Sequence, residues 1–266
     1  MVNRDSIKNC KRIVIKVGTT SLTYPNGKMN IKKMDRLARV ISDIHNSGKD
    51  VILVSSGAIA VGSDKLGIER PRDVIGKQAC SAVGQALLMQ LYEKLFEEYN
   101  QKVAQMLLTK AVFLNDVRKT NSGNAINKLL ELDVVPIVNE NDSVSIDELG
   151  DFSDNDTLSA YVSVVAKADL LIILSDIDGF YNGDPKSADT KLISLVEDIN
   201  EEVYSVAGGS GSKLGTGGML TKIKAADLLT SRGINMIIAS GEEPDILYSL
   251  LEGENIGTLF KAKRNM

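Results

Sequence analysis

Apolar residues fall into two alternating patterns along the 266-residue chain. Short uninterrupted runs occupy 12–17 (RIVIKV), 50–54 (DVILV), 103–108, 134–138, 170–174 and 236–239. Between the first two, Ile31, Met34, Leu37, Ile41 and Ile44 recur at the three- and four-residue steps of a helix with one buried face. A longer helical pattern covers about 74–99, and helix-length segments separate most of the other runs. Continuously apolar strands alternating with helices predict a mostly parallel sheet covered on both faces, the α/β class. No low-complexity linker or internal repeat divides the chain, and only 208–218 (GGSGSKLGTGG) is dense in glycine. The expectation is one domain, with two lobes meeting near Lys167: 1–167 and 168–266.

In such a sheet ligands bind beyond the carboxyl ends of the strands. The residues that follow the runs are polar and small: Gly18-Thr19-Thr20, Ser55-Ser56-Gly57, Asn139-Glu140-Asn141-Asp142 and Ser175-Asp176. Four polar loops on one sheet edge predict one cleft.

Composition narrows the chemistry. The net charge of −4 lacks the basic surplus of a nucleic-acid binder. No apolar run reaches the roughly 18 residues of a membrane span, and residues 1–18 lack the apolar core of a signal peptide. Both readings point to a soluble, cytoplasmic protein. Cys10 and Cys80 are too few for a disulfide framework and too far apart for a zinc knuckle, which gives both a structural reading. His45 is the only histidine and falls at the end of a helical pattern, so imidazole acid–base chemistry is disfavoured. The Walker A, three-glycine dinucleotide and His-Arg-Asp signatures are all missing.

Four segments carry chemistry. Lys16 lies inside an apolar strand, a costly place for a cation without an anionic partner, and precedes the small-residue turn at Gly18. The run Gly215-Thr216-Gly217-Gly218-Met219-Leu220-Thr221-Lys222 permits a tight loop whose amides, with Thr216, can donate to phosphate. A helix starting near Met219 would direct its N-terminus at the anion, with Lys222 one turn in. Asp154-Asn155-Asp156 precedes a helical pattern; taken alone, Asp156 reads as an N-cap. Ser55-Ser56-Gly57-Ala58-Ile59-Ala60 reads as a strand–turn–helix whose free amides suit a carboxylate.

Together with Gln105-Met106-Leu107-Leu108-Thr109 and Gly257-Thr258-Leu259-Phe260, these segments resemble the amino acid kinase family, most closely its glutamate-phosphorylating branch. The resemblance runs in the same order over nearly the whole chain. It implies a three-layer αβα sandwich around a mostly parallel sheet, with the amino acid bound by the first lobe and ATP by the second. Lys16 and Lys222 would be the catalytic lysines and Asp156 the carboxylate that organises them. Ser56, Gly57, Asp142 and Asn155 would contact glutamate. Lys16, Ser175, Asp176, Thr216, Gly217, Gly218, Met219 and Lys222 would contact ATP. Magnesium would be held mainly by the ATP phosphates. The resemblance further implies the first step of proline biosynthesis, feedback inhibition by proline, and a dimer or tetramer. Alternatives are another amino acid kinase acting on N-acetylglutamate or aspartate, and a non-catalytic sensor of nucleotide or amino acid. Many members of the branch carry an additional PUA domain, and the expectation here is a form without it.

Overall fold

A computed structural model describes residues 4–144, 154–187, 189–208 and 218–263. Among the described residues ten strands form in chain order: β1 Arg12–Val17, β2 Asp50–Ser55, β3 Lys102–Leu108, β4 Val134–Glu140, β5 Leu170–Ser175, β6 Phe180–Tyr181, β7 Leu192–Ile193, β8 Leu195–Val196, β9 Asn235–Ser240 and β10 Thr258–Phe260. Eight of them make one sheet in the order β3-β4-β2-β1-β5-β9-β10-β8, while β6 and β7 form a separate hairpin. The six strands from β3 to β9 are parallel; β10 runs antiparallel to β9 and parallel to β8. The short β10 and the two-residue strands escape a reading based on apolar runs.

Strand periodicity builds the two flanking layers. Ile13, Ile15 and Val17 of β1, Val51 and Leu53 of β2, and Leu170, Ile172 and Leu174 of β5 share one core. The helices Ile31–Asn46, Val74–Glu97 and Ile246–Leu251 cover it. The alternate residues Val14, Ile52, Val54, Leu171 and Ile173 share the opposite core with the helices Asp116–Glu131, Asn155–Val165 and Met219–Thr230. The result is the expected three-layer αβα sandwich.

This parity aims Lys16. It falls in step with Val14, so it leaves the sheet on the side of the helices Asn155–Val165 and Met219–Thr230. From β1 the chain adds β2 beside it, β3 at the edge and β4 between them, then returns to place β5 against the other side of β1. That reversal is the switch point where a doubly wound sheet opens a crevice. Lys16 and Ser175 stand at the strand ends beside it.

One helix contact sets the geometry of this edge. Helices Ala58–Leu66 and Val74–Glu97 approach so closely that a Cβ on Gly62 would lie 1.8 Å from the Cys80 carbonyl oxygen, and one on Gly84 would lie 1.8 Å from that of Ala58. Gly57, which caps the first of these helices, has φ +104°, a backbone that side-chain-bearing residues rarely adopt. Cys80 is buried beneath this contact, and Cys10 is buried and unbridged elsewhere. His45 closes the helix Ile31–Asn46 from a buried position rather than the surface, with Nε2 2.9 Å from Asp133 Oδ1 and Nδ1 3.1 Å from the Lys49 carbonyl.

Gly84→Ala should force these two helices apart, lowering stability by at least about 2 kcal/mol and the thermal midpoint by roughly 5 °C. An unchanged melting curve would contradict the contact.

Candidate active site

Lys16, Asp156 and Lys222 are separated widely in sequence, yet they meet at the carboxyl edge of the sheet. Lys16 Nζ lies 2.6 Å from Asp156 Oδ1, and Lys222 Nζ lies 2.9 Å from Asp156 Oδ2. Each carboxylate oxygen therefore faces its own ammonium. Thr221 Oγ1 also donates to Oδ2, at 3.3 Å. The Asp156 side chain is 1% exposed and the two lysine side chains 9% and 8%. Burial by itself would raise the Asp156 pKa; the two lysines reverse that and hold it below the usual carboxylate range.

Local structure differs from the sequence expectation at this aspartate. Asp154, not Asp156, caps the helix Asn155–Val165, accepting from the Asp156 amide at 3.1 Å. That releases the Asp156 side chain to turn inward toward the lysines. Burial first, and the Asp156 charge second, push the Asp154 carboxyl above its ordinary range, with Lys16 opposing them. Lys222 sits in the first turn of the helix Met219–Thr230, which Gly218 caps in an extended conformation.

Beside this triad lies a pocket of about 170 Å³. Ser56, Gly57, Asp142 and Asn155, the four residues expected to hold an amino acid, all line it. Asn139 and Glu140 line it too, from the last turns of β4 rather than from a loop, since the strand runs through Glu140. The wall also includes Thr19, from the polar loop after β1, and Arg70, which the sequence did not single out.

Hydrogen bonds tie the pocket together. Asn155 Nδ2 donates to the Ser55 carbonyl at 2.9 Å, to Ser56 Oγ at 2.7 Å and to Asn139 Oδ1 at 3.1 Å. Asn139 Nδ2 in turn donates to Gln85 Oε1 at 2.8 Å, and Ser81 Oγ donates to Asp142 Oδ2 at 2.5 Å. Ser81 and Gln85 come from the helix Val74–Glu97, whose periodicity in sequence gave no hint of a site role. The nearby glycines 62 and 84 were the available signal, because a close helix approach brings backbone and short side chains to the sheet edge.

Of the residues expected at a nucleotide, Ser175 ends β5 and its hydroxyl donates to Asp176 Oδ1 at 3.1 Å. Gly218 and Met219 form the start of the Lys222 helix. Thr216 and Gly217 lie outside the described residues. Among the described residues no group of three or more His, Cys, Asp or Glu side chains could hold a metal ion. No described helix is long and apolar enough to cross a membrane.

Chemically, the edge offers two buried cations braced by one carboxylate next to a small polar pocket. Such a pair suits an anion transferred between two ligands. Comparison with known proteins agrees. A family profile described as the amino acid kinase family matches residues 11–240. Among curated relatives, glutamate 5-kinase of Clostridium perfringens is 54% identical, over 98% of this chain and 99% of that protein. Glutamate 5-kinases of Clostridium tetani and Enterococcus faecalis are 49% and 48% identical, each over 97% of both chains. Among solved structures, UMP kinase from Bacillus anthracis superposes with a TM-score of 0.63 over 97% of this chain and 98% of that one, at 16% identity, a likeness of fold. The chain belongs to the amino acid kinase family, within its glutamate 5-kinase branch.

Proposed function

We propose that this chain transfers the γ-phosphoryl group of ATP to the side-chain carboxylate of L-glutamate, giving L-glutamyl 5-phosphate, the first step of proline biosynthesis. The observation that carries the reading is the convergence of Lys16 and Lys222 on Asp156 next to the Asp142 pocket.

The chemistry explains why no general base is needed. A glutamate side chain with an ordinary pKa near 4.3 is already ionised at neutral pH, so the nucleophile is ready. What opposes reaction is the approach of two anions and the charge spread over the phosphoryl oxygens during transfer. Lys16 and Lys222 answer both, and Asp156 fixes them without taking a proton. Bound to the two oxygens of one carboxylate, the two ammonium groups are held side by side for the phosphoryl group.

The pocket supplies orientation. Asp142 pairs with the α-ammonium of free glutamate, and the Ser56 hydroxyl and the amides around Gly57 receive its α-carboxylate. Asn155 ties Ser56 to Asn139 through its amide. An N-acetylated substrate has no cation for Asp142, which disfavours it. In this reading residues 1–167 hold the amino acid, and 168–266 hold ATP through Ser175, Asp176, the Thr216–Met219 run and Lys222. Magnesium would be held mainly by the ATP phosphates and would neutralise part of their charge. A cytoplasmic location, inhibition by proline and assembly as a dimer or tetramer complete the proposal on the strength of the family assignment.

Lys222→Ala should lower kcat at least about 100-fold, on the order of 3 kcal/mol, with a smaller effect on glutamate binding. Steady-state ADP release measures it, and unimpaired turnover would remove Lys222 from the mechanism. Asp142→Ala should raise the KM for glutamate far more than it lowers kcat; an unchanged KM would place the ammonium elsewhere.

A further inference from the structure

The helix Val74–Glu97 carries a polar stripe on the face it turns to the strand ends. Ser81, Gln85 and Tyr92 are spaced by four and seven residues, which keeps them on one side of the helix. All three are buried, and each reaches a different residue at the site: Ser81 Oγ to Asp142, Gln85 Oε1 to Asn139, and the Tyr92 hydroxyl to Ser55 Oγ at 2.9 Å.

The direction of every amide in this chain is fixed by backbone groups that cannot reverse. The Ser55 carbonyl can only accept, so the atom of Asn155 facing it is Nδ2. The Glu140 amide can only donate, at 2.9 Å, so the atom of Asn139 facing it is Oδ1, which also receives Asn155. Asn139 therefore presents Nδ2 to Gln85, whose Oε1 must accept. At the far end Ser56 Oγ accepts from Asn155, which leaves the Ser56 hydrogen as the donor offered to a ligand. Gln85 Nε2 is buried with no hydrogen-bond partner among the described residues. Burying an unsatisfied amide is unfavourable, and an apolar side chain would avoid it. The glutamine is accounted for by the acceptor it provides.

On the other arm Ser81 donates to Asp142 Oδ2 and so fixes the rotation of that carboxylate. Neither Ser81 nor Gln85 lines the pocket, so each acts through another residue. The close contact at Gly62 and Gly84, within one turn of both, sets the distance at which they act.

We propose that Ser81 and Gln85 are positioning residues that divide recognition of the amino acid between them. Ser81 orients Asp142 for the α-ammonium, and Gln85, through Asn139 and Asn155, sets Ser56 to donate to the α-carboxylate. The inference rests on the glutamate reading of this pocket.

Two analogues separate the arms: glutarate lacks the ammonium and 4-aminobutyrate lacks the α-carboxylate. With purified full-length protein, KM values for glutamate and ATP and inhibition constants for both analogues are measured in wild type, Ser81→Ala, Gln85→Met and Asp142→Ala. Ser81→Ala should raise the KM for glutamate about tenfold, the scale of one hydrogen bond to a charged group, while the glutarate constant and the KM for ATP stay within about twofold. Gln85→Met should spare 4-aminobutyrate and weaken glutamate and glutarate together. If each variant weakens both analogues and glutamate equally, or lowers only kcat and the thermal midpoint, the role is structural and the proposal is overturned. Should Ser81→Ala fail to fold, the Gln85→Met pattern decides alone. A wild type that does not phosphorylate glutamate would overturn the glutamate reading itself; an unchanged KM in Asp142→Ala, or a raised KM there with no effect from Ser81 or Gln85, would overturn only the present inference.

Discussion

The structure turns on three charged side chains held together out of water. Two ammonium groups share a single carboxylate at the edge of the sheet, with the aspartate 1% exposed. Desolvating three ions is unfavourable unless they are well paired, and short contacts to both oxygens of Asp156 supply that pairing here. Asp156 thereby holds the two lysines side by side at the sheet edge. A site of this kind favours an anion over water, and it gains most when negative charge spreads over the oxygens of a group in transit.

Everything else in the fold serves to hold that cluster together. Strand parity turns Lys16 to the layer that contains the helices bearing Asp156 and Lys222. The reversal of strand order at β1 opens the crevice at the same point. On the other side of the crevice, the glycine contact between helices Ala58–Leu66 and Val74–Glu97 lets a third element reach the pocket with hydroxyl and amide groups. The cationic centre and the polar pocket share the start of the helix Asn155–Val165, while the helix Val74–Glu97 supports only the pocket.

Much of this was legible in the sequence, for identifiable reasons. The strands announced themselves because a parallel sheet buried on both faces needs unbroken apolar runs, and 170–175 is buried throughout. Lys16 stood out because a cation in such a run requires an anion. Asp156 was misread locally, since capping chemistry treats neighbouring aspartates alike and only the folded backbone shows that Asp154 takes the cap. His45 was read as a helix-end residue and is one, but its burial and its contact with Asp133, 88 residues away, depend on the tertiary fold. Ser81 and Gln85 were invisible for a related reason: a serine and a glutamine on a long helix are ordinary, and their meaning comes from strand ends far along the chain. The segment carrying Thr216 and Gly217 lies outside the described residues, so its contribution stands as the sequence reading left it.

The most direct test of the central claim is a crystal structure with L-glutamate and a non-hydrolysable ATP analogue bound. The account predicts the terminal phosphoryl group within hydrogen-bonding distance, about 3 Å, of both Lys16 Nζ and Lys222 Nζ, with Asp156 still between them. A phosphoryl group lodged away from both lysines would contradict it.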